Sequence, residues 1–255
     1  MDEAFFNKIS IVIITRDAEV TLGKTLESVS AFSEVVIYDN GSQDQTEAIA
    51  KQFSNVRFFT GPFLGFGNTK NHAVTLATTD WVCSLDADEC LTQCLIEEFQ
   101  VFKPFSDKQV GQITRENFFY GKKLRYGGWG NDKLIRLFNR KAHQFSDSQV
   151  HESIVTHNDS LIVHFKSPIE HNAVYRLSQI LQKIDRYSEL YATHSDKTYP
   201  VFIIVLKALF AFMQSYFLRL GCLEGWRGLM VAVSNSNSVF FKYFKVWVKK
   251  NVDQQ

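Results

Sequence analysis

The order of apolar and polar positions predicts alternating strands and helices over the first third of the chain. Ile9 to Thr15 (ISIVIIT) is a continuous β-branched run, the pattern of a strand covered on both faces. Val20 to Ser30 carries Leu22, Leu26 and Val29 on one side, which predicts a helix. Glu34 to Asp39 (EVVIYD) reads as a second buried strand. The Asp-Asn-Gly-Ser turn after it leads into a helix that Asp44 or Thr46 can cap, running to about Phe53. Val56 to Phe59, Asn68 to Ala77 and Trp81 to Leu85 then predict a strand, a helix and a strand. This alternation argues for right-handed βαβ units in a mainly parallel sheet. Such sheets bind ligands beyond the carboxyl ends of their strands.

After Cys94 the regularity weakens. Gly111 to Tyr120, Lys133 to Phe138 and Ser160 to His164 read as strands, the first two separated by a Gly- and aromatic-rich loop holding Tyr126 and Trp129. From Tyr175 to Ala192 the apolar spacing is helical again. Val201 to Leu220 is the most apolar stretch, interrupted by Lys207, Gln214 and Arg219. It falls short of an uninterrupted span of ~20 apolar residues, so placement at an interface fits better than crossing. Asn237 to Lys250 predicts a basic amphipathic helix, with Val239, Phe240, Tyr243, Phe244 and Trp247 opposite Lys242, Lys245 and Lys249. Such a helix suits an anionic membrane surface, or packs on its own domain with a solvated lysine face. The expected division is a catalytic domain over 1–200 and a helical extension over 201–255.

Composition adds two constraints. Lys+Arg 28 against Asp+Glu 27 gives a net charge of +1, so no global basic field points to nucleic acid. Beyond residue 200, however, seven Lys/Arg face two Asp/Glu, a local net of +5, which suggests contact with something anionic. Cys83, Cys90, Cys94 and Cys222 form no CxxC pair and read as reduced thiols, not a zinc site. MDEAFFNK lacks the charged-then-apolar pattern of a secretion signal; a cytoplasmic setting is expected.

The chemistry gathers at the predicted strand ends. Asp86-Ala87-Asp88-Glu89 follows the Trp81 strand directly. Carboxylates so close repel one another, and a divalent cation such as Mg2+ or Mn2+ resolves the conflict. In an extended segment, residues two apart point the same way, so Asp86 and Asp88 can share a ligand. A helix N-terminus carrying acids is the plainer alternative. Asp39 closes the second strand, where it can accept from the ring N–H of a base or hold an Asx turn. Thr15 and Asp17 end the first strand on the same edge, with Glu19 just beyond. Lys70 and Asn71 stand near a helix start, where a cation can meet a diphosphate.

In order and spacing, ISIVIITRDAE, VVIYDNGSQDQT, NTKNHAV and WVCSLDADE resemble the family 2 glycosyltransferases of GT-A fold. GGWGNDKLIRLFNR, QVHES, IEH, DRYSELYA, YFLRLGCLEGWRGLMVA and KYFK are similar to the bacterial lipopolysaccharide core β-glucosyltransferase branch. The resemblance covers almost the whole chain. It implies a Rossmann-like α/β domain with a C-terminal helical extension, and an inverting enzyme that moves a sugar, glucose by the resemblance, from a UDP-sugar to a lipid-linked or lipopolysaccharide core acceptor. By the same resemblance Asp39 binds uracil, Thr15 and Glu19 line the nucleoside pocket, and Lys70 approaches the diphosphate. Asp86 holds the ribose or donor sugar and Asp88 ligates the metal, with His171 as a further metal or diphosphate contact. Glu152 is the candidate base and Asp132 the reserve, while Trp129 is placed to stack on a sugar. Asp17 stands where many relatives carry Asn, and Asn131 where many carry Pro. Two rival readings remain: a nucleotidyltransferase, against which the glycine-free Thr15–Glu19 loop counts, and a silent scaffold at a membrane surface.

Overall fold

The computed structural model describes residues 5–129, 132–147, 152–174 and 177–252. The chain folds into two compact units, one of Met1–Glu116 and Asp132–His171, the other of Asn117–Asn131 and Asn172–Gln255. In the first, strands β1 (Ile9–Thr15), β2 (Glu34–Asp39), β3 (Val56–Thr60) and β4 (Trp81–Asp86) alternate with helices α1 (Leu22–Ser28), α2 (Thr46–Ala50) and α3 (Phe66–Thr75). These are the elements that the apolar runs predict. Next come β5 (Glu89–Leu91), α4 (Gln93–Val101), β6 (Gln109–Phe119), β7 (Lys122–Lys123), β8 (Asp132–Asn139), β9 (Leu161–His164) and β10 (Ile169–Val174).

The sheet runs β3-β2-β1-β4-β8-β6-β10-β5. Its first four strands are parallel, and β8 and β6 continue it antiparallel. The architecture is therefore mixed α/β, as expected. β1 and β2 sit inside this order and are buried almost throughout, which is why their sequences are unbroken apolar runs. One face of the sheet packs Ile11, Ile13, Val35, Ile37, Cys83 and Leu85 against α1 and α4. The register sets Thr15 beside Asp39 and Ile14 beside Asp86. Three neighbouring strands thus deliver polar side chains to one edge, about 5 Å apart per strand. The helix expected to be capped by Asp44 or Thr46 starts at Thr46, whose N–H is accepted by Asp44 Oδ1 at 3.0 Å, while the Gln45 side chain makes no cap.

The second unit holds α5 (Leu177–His194), α6 (Val201–Met213) and α7 (Trp226–Asn251). It thus includes α5, which the sequence division at residue 200 puts in the catalytic domain. Ile180 and Ile184 of α5 pack with Val231 of α7, Phe119 and Leu124. The basic helix expected from Asn237 is the second half of the 26-residue α7. Its lysine face is largely engaged: Lys245 pairs with Asp185 and Glu189, and Lys249 donates to the Ala192 carbonyl. α6 runs directly into a π-helical turn, Gln214–Leu218. Together, Val201–Leu218 form one helix long and apolar enough to cross a membrane by length and composition, and little of it is buried. The four cysteines are free. Burial pushes the Cys83 thiol up to about 12, leaving it inert.

Candidate active site

At the end of β4 the backbone turns at Ala87 and Asp88 before β5 begins. Asp86 and Asp88 therefore do not share an extended segment, and their carboxylates meet different partners. Asp86 Oδ1 accepts from Lys70 Nζ at 2.8 Å and Oδ2 from Arg136 Nη2 at 2.9 Å. Asp88 Oδ2 instead lies 3.3 Å from His171 Nε2 on β10. The third acid, Glu89, is fully buried. It accepts the Asp86 N–H at 3.0 Å and pairs with both Arg136 and Arg115, the latter at 3.3 Å.

Lys70 projects from α3 and is almost wholly buried. It also pairs with Glu152 Oε1 at 2.8 Å and lies 5.4 Å from the centre of the Phe145 ring. Burial opposes the charge on both Lys70 and Asp86, and their mutual attraction wins. Lys70 is held above its ordinary value, and Asp86, with Arg136 adding to Lys70, well below the carboxylate range. Asp132, the reserve base, is bound by Arg115 Nη2 at 2.8 Å. Among the described residues, the four carboxylates of Asp86, Glu89, Asp132 and Glu152 face the three cations Lys70, Arg115 and Arg136, an excess of one negative charge.

At the neighbouring strand ends, Asp39 Oδ2 accepts the N–H groups of Gly41 and Ser42, and Oδ1 accepts the Ser42 hydroxyl. The Asx turn read as an alternative is formed, with Gly41 supplying φ +83°. Thr15 Oγ1 beside it is buried and has no partner among the described residues. Arg115 Nε, Arg136 Nε, Arg140 Nε and His143 Nδ1 are buried without a partner in the same way, although buried polar atoms are rarely left so.

Other expected residues hold the loops. Asp17 accepts the Gln43 N–H and Glu19 the Gln45 N–H, while their own N–H groups bind Ser42 and Asp44. The two acids thereby stitch the loop after β1 to the loop after β2. The Asn71 side chain donates to and accepts from the Phe145 backbone, so it anchors that segment. Trp129 belongs to the second unit, where its ring meets Phe119 edge-on at 6.0 Å.

Arg136 and Arg115 lie outside the residues expected at the site, and Glu89 enters the expectation only as one of the clustered acids. The available signal was an arginine inside the apolar run Leu134-Ile135-Arg136-Leu137-Phe138. A buried charge there requires carboxylate partners, and the Asp86–Glu89 cluster supplies them.

Among the described residues no group of three or more His, Cys, Asp or Glu converges to enclose a metal. Asp88 with His171 offers one oxygen and one nitrogen donor. This suits a cation whose remaining shell is phosphate and water. Asp86, with both oxygens held by cations, does not fit that donor set.

Comparison with known proteins gives the following likenesses. The family model "Glycosyl transferase family 2" matches residues 10–155. An uncharacterized glycosyltransferase of Rickettsia typhi is 27% identical over 94% of this chain and 86% of its own. The lipopolysaccharide core biosynthesis glycosyltransferase LpsC of Rhizobium meliloti is also 27% identical, over 94% of this chain and 92% of its own. Among solved structures, glucosyl-3-phosphoglycerate synthase of Mycobacterium tuberculosis, in complex with Mn2+, UDP and phosphoglyceric acid, overlaps with a TM-score of 0.33 at 20% identity. That overlap covers 45% of this chain and 44% of the synthase. S. aureus TarS overlaps with a TM-score of 0.43 at 14% identity, over 81% of this chain and 43% of its own.

Proposed function

Because the chain belongs to glycosyl transferase family 2, we propose that it is an inverting enzyme moving a hexose, glucose first among the candidates, from a UDP-sugar to a hydroxyl of a lipopolysaccharide core or similar lipid-linked acceptor. The observation that carries this reading is the row of Thr15, Asp39 and Asp86 at the ends of three adjacent strands, continued by Asp88 and Lys70. Thr15, with its unpartnered hydroxyl, and Asp39 receive the nucleoside. Lys70 faces the diphosphate and shares its charge with Asp86, so its ammonium is fixed before the donor arrives, and fixed charge needs no reorganisation as the bond breaks.

A divalent cation, Mg2+ or Mn2+, held by Asp88 and His171 would supply further neutralisation of the departing diphosphate. Glu152 takes the proton of the attacking hydroxyl. Its contact with Lys70 through Oε1 orients the carboxylate. Asp132 is the reserve for this role. The apolar helices of the second unit give the enzyme a peripheral position on the cytoplasmic face of a membrane, beside a lipid-linked acceptor.

The test is turnover of a panel of UDP-sugars with manganese, following UDP release. One donor should be hydrolysed slowly, and Asp88→Ala should lower that rate about a hundredfold. A chain that neither releases nor binds UDP would instead be a scaffold that keeps the fold.

A further inference from the structure

From Phe202 to Met213 every exposed position of α6 is apolar: Phe202, Val205, Leu206, Leu209, Phe210 and Met213. The inward positions are Ile204 and the small Ala208. A helix folded against water places its larger apolar side chains inward. Here the order is reversed, as for a helix whose outer face meets hydrocarbon.

Beside this stripe lies a groove of about 520 Å3 between α6 and α7. Ile203, Leu206, Phe210 and Val239 supply apolar wall, and Lys207 and Lys242 supply charge. Leu206 and Phe210 belong to both stripe and groove, so the two are continuous. Lys207 Nζ lies 4.6 Å from the centre of the Tyr199 ring and 5.7 Å from that of Tyr243. Lys242 Nζ lies 4.2 Å from Tyr191 and 5.6 Å from Tyr243. Among the described residues neither makes an ion pair, whereas Lys245, three positions after Lys242, is held by two carboxylates. Two half-buried ammonium groups against aromatic faces, without an anion, next to an exposed apolar stripe, are complementary to an amphiphile with a negative head.

We propose that this groove binds an anionic phospholipid, its phosphate between Lys207 and Lys242 and an acyl chain along Ile203, Phe210 and Val239, with the α6 stripe embedded in the same leaflet. The site rests on the membrane-surface reading of the second unit and gives that surface a headgroup preference. Neutral lipid would satisfy the stripe but leave both ammonium groups without a counter-charge.

The experiment is co-sedimentation of the full chain with phosphatidylcholine vesicles, with and without phosphatidylglycerol. It compares the parent, a Lys207→Gln/Lys242→Gln double variant and a charge-matched Lys24→Gln/Lys103→Gln control from the first unit. Thermal unfolding confirms that all three are folded. The parent should prefer the anionic vesicles, and loss of the two groove lysines should weaken that binding about 30-fold, at roughly a kcal/mol per cation near an anionic surface. The control should bind like the parent. Equal binding of the parent to both vesicle types, or equal weakening by both double variants, overturns the groove site and leaves the membrane surface standing. Failure of the parent to sediment with any vesicle overturns both.

Discussion

The buried arginine at the centre of the site explains how three acids fit into one turn. Glu89 is wholly enclosed, and Arg136, itself almost enclosed, pairs with both Glu89 and Asp86. A buried ion pair stabilises little beyond an apolar equivalent, but removing one member leaves the other charge uncompensated. Arg136→Met should therefore cost about 3–5 kcal/mol in urea unfolding. Arg115, 3.3 Å from Glu89, moderates that loss without covering the same oxygen as closely. Adding Glu89→Gln should recover part of the stability, because the amide oxygen still accepts the Asp86 N–H while the stranded charge is gone. If Arg136→Met alone stays within about 1 kcal/mol of the parent, the network does not hold the turn in the manner argued. The same cluster marks where reading from sequence stops short. The acids were legible as a cation site because they are adjacent. Their actual cations come from β6, β8 and α3 and meet only through the fold, so the sequence points Asp86 at a metal while its oxygens face Lys70 and Arg136.

At the scale of elements, α7 depends on one close approach. An added Cβ at Gly228 would stand 1.7 Å from the Gly221 carbonyl oxygen and 2.7 Å from its carbon. These are backbone atoms that no rotamer change can move. Gly228→Ala should destabilise the second unit by about 3 kcal/mol, at the upper end for overpacking, lowering the midpoint of thermal unfolding. A midpoint equal to the parent's would mean that the Gly221–Glu224 turn yields freely. Nothing in the local pattern of GCLEGWRG announces this contact, whereas β1 to β4 announce themselves. Buried parallel strands must be apolar on both faces, and that demand is written in consecutive residues. β5 and β10 are not legible, for the opposite reason. β5 has three residues, too few to show a period, and β10 carries Glu170, His171 and Asn172, at least one of which faces the site. α4 is legible in Leu95, Ile96 and Phe99 with Thr92 as N-cap, although the strand–helix alternation breaks before it. The lysines of α7 are mostly tied to α5 and the segment after it, whereas the outer stripe of α6 is left exposed.

For the whole molecule, electrostatics predicts an order of ligand binding at the proposed site. The chain is nearly neutral, at +1, yet the carboxylates around Asp86 outnumber their cations and leave that group negative. A nucleoside diphosphate is itself an anion, and its approach to such a group is opposed unless positive charge comes with it. The free protein should therefore gain little thermal stability from UDP alone. With manganese present the gain should follow ligand linkage, about 2.7 kcal/mol of folding free energy at a hundredfold excess over Kd. Asp88→Ala should abolish the manganese-dependent increment and leave any small response to UDP alone, because Asp88 holds the metal in the proposed site and Thr15 and Asp39 hold the nucleoside. Asp39→Ala should do the reverse and weaken the response with or without metal. Equal stabilisation by UDP in chelator and in manganese would mean that Lys70, Arg115 and Arg136 already suffice for the diphosphate. In that case Asp88 and His171 position each other and the cation has no part in donor binding.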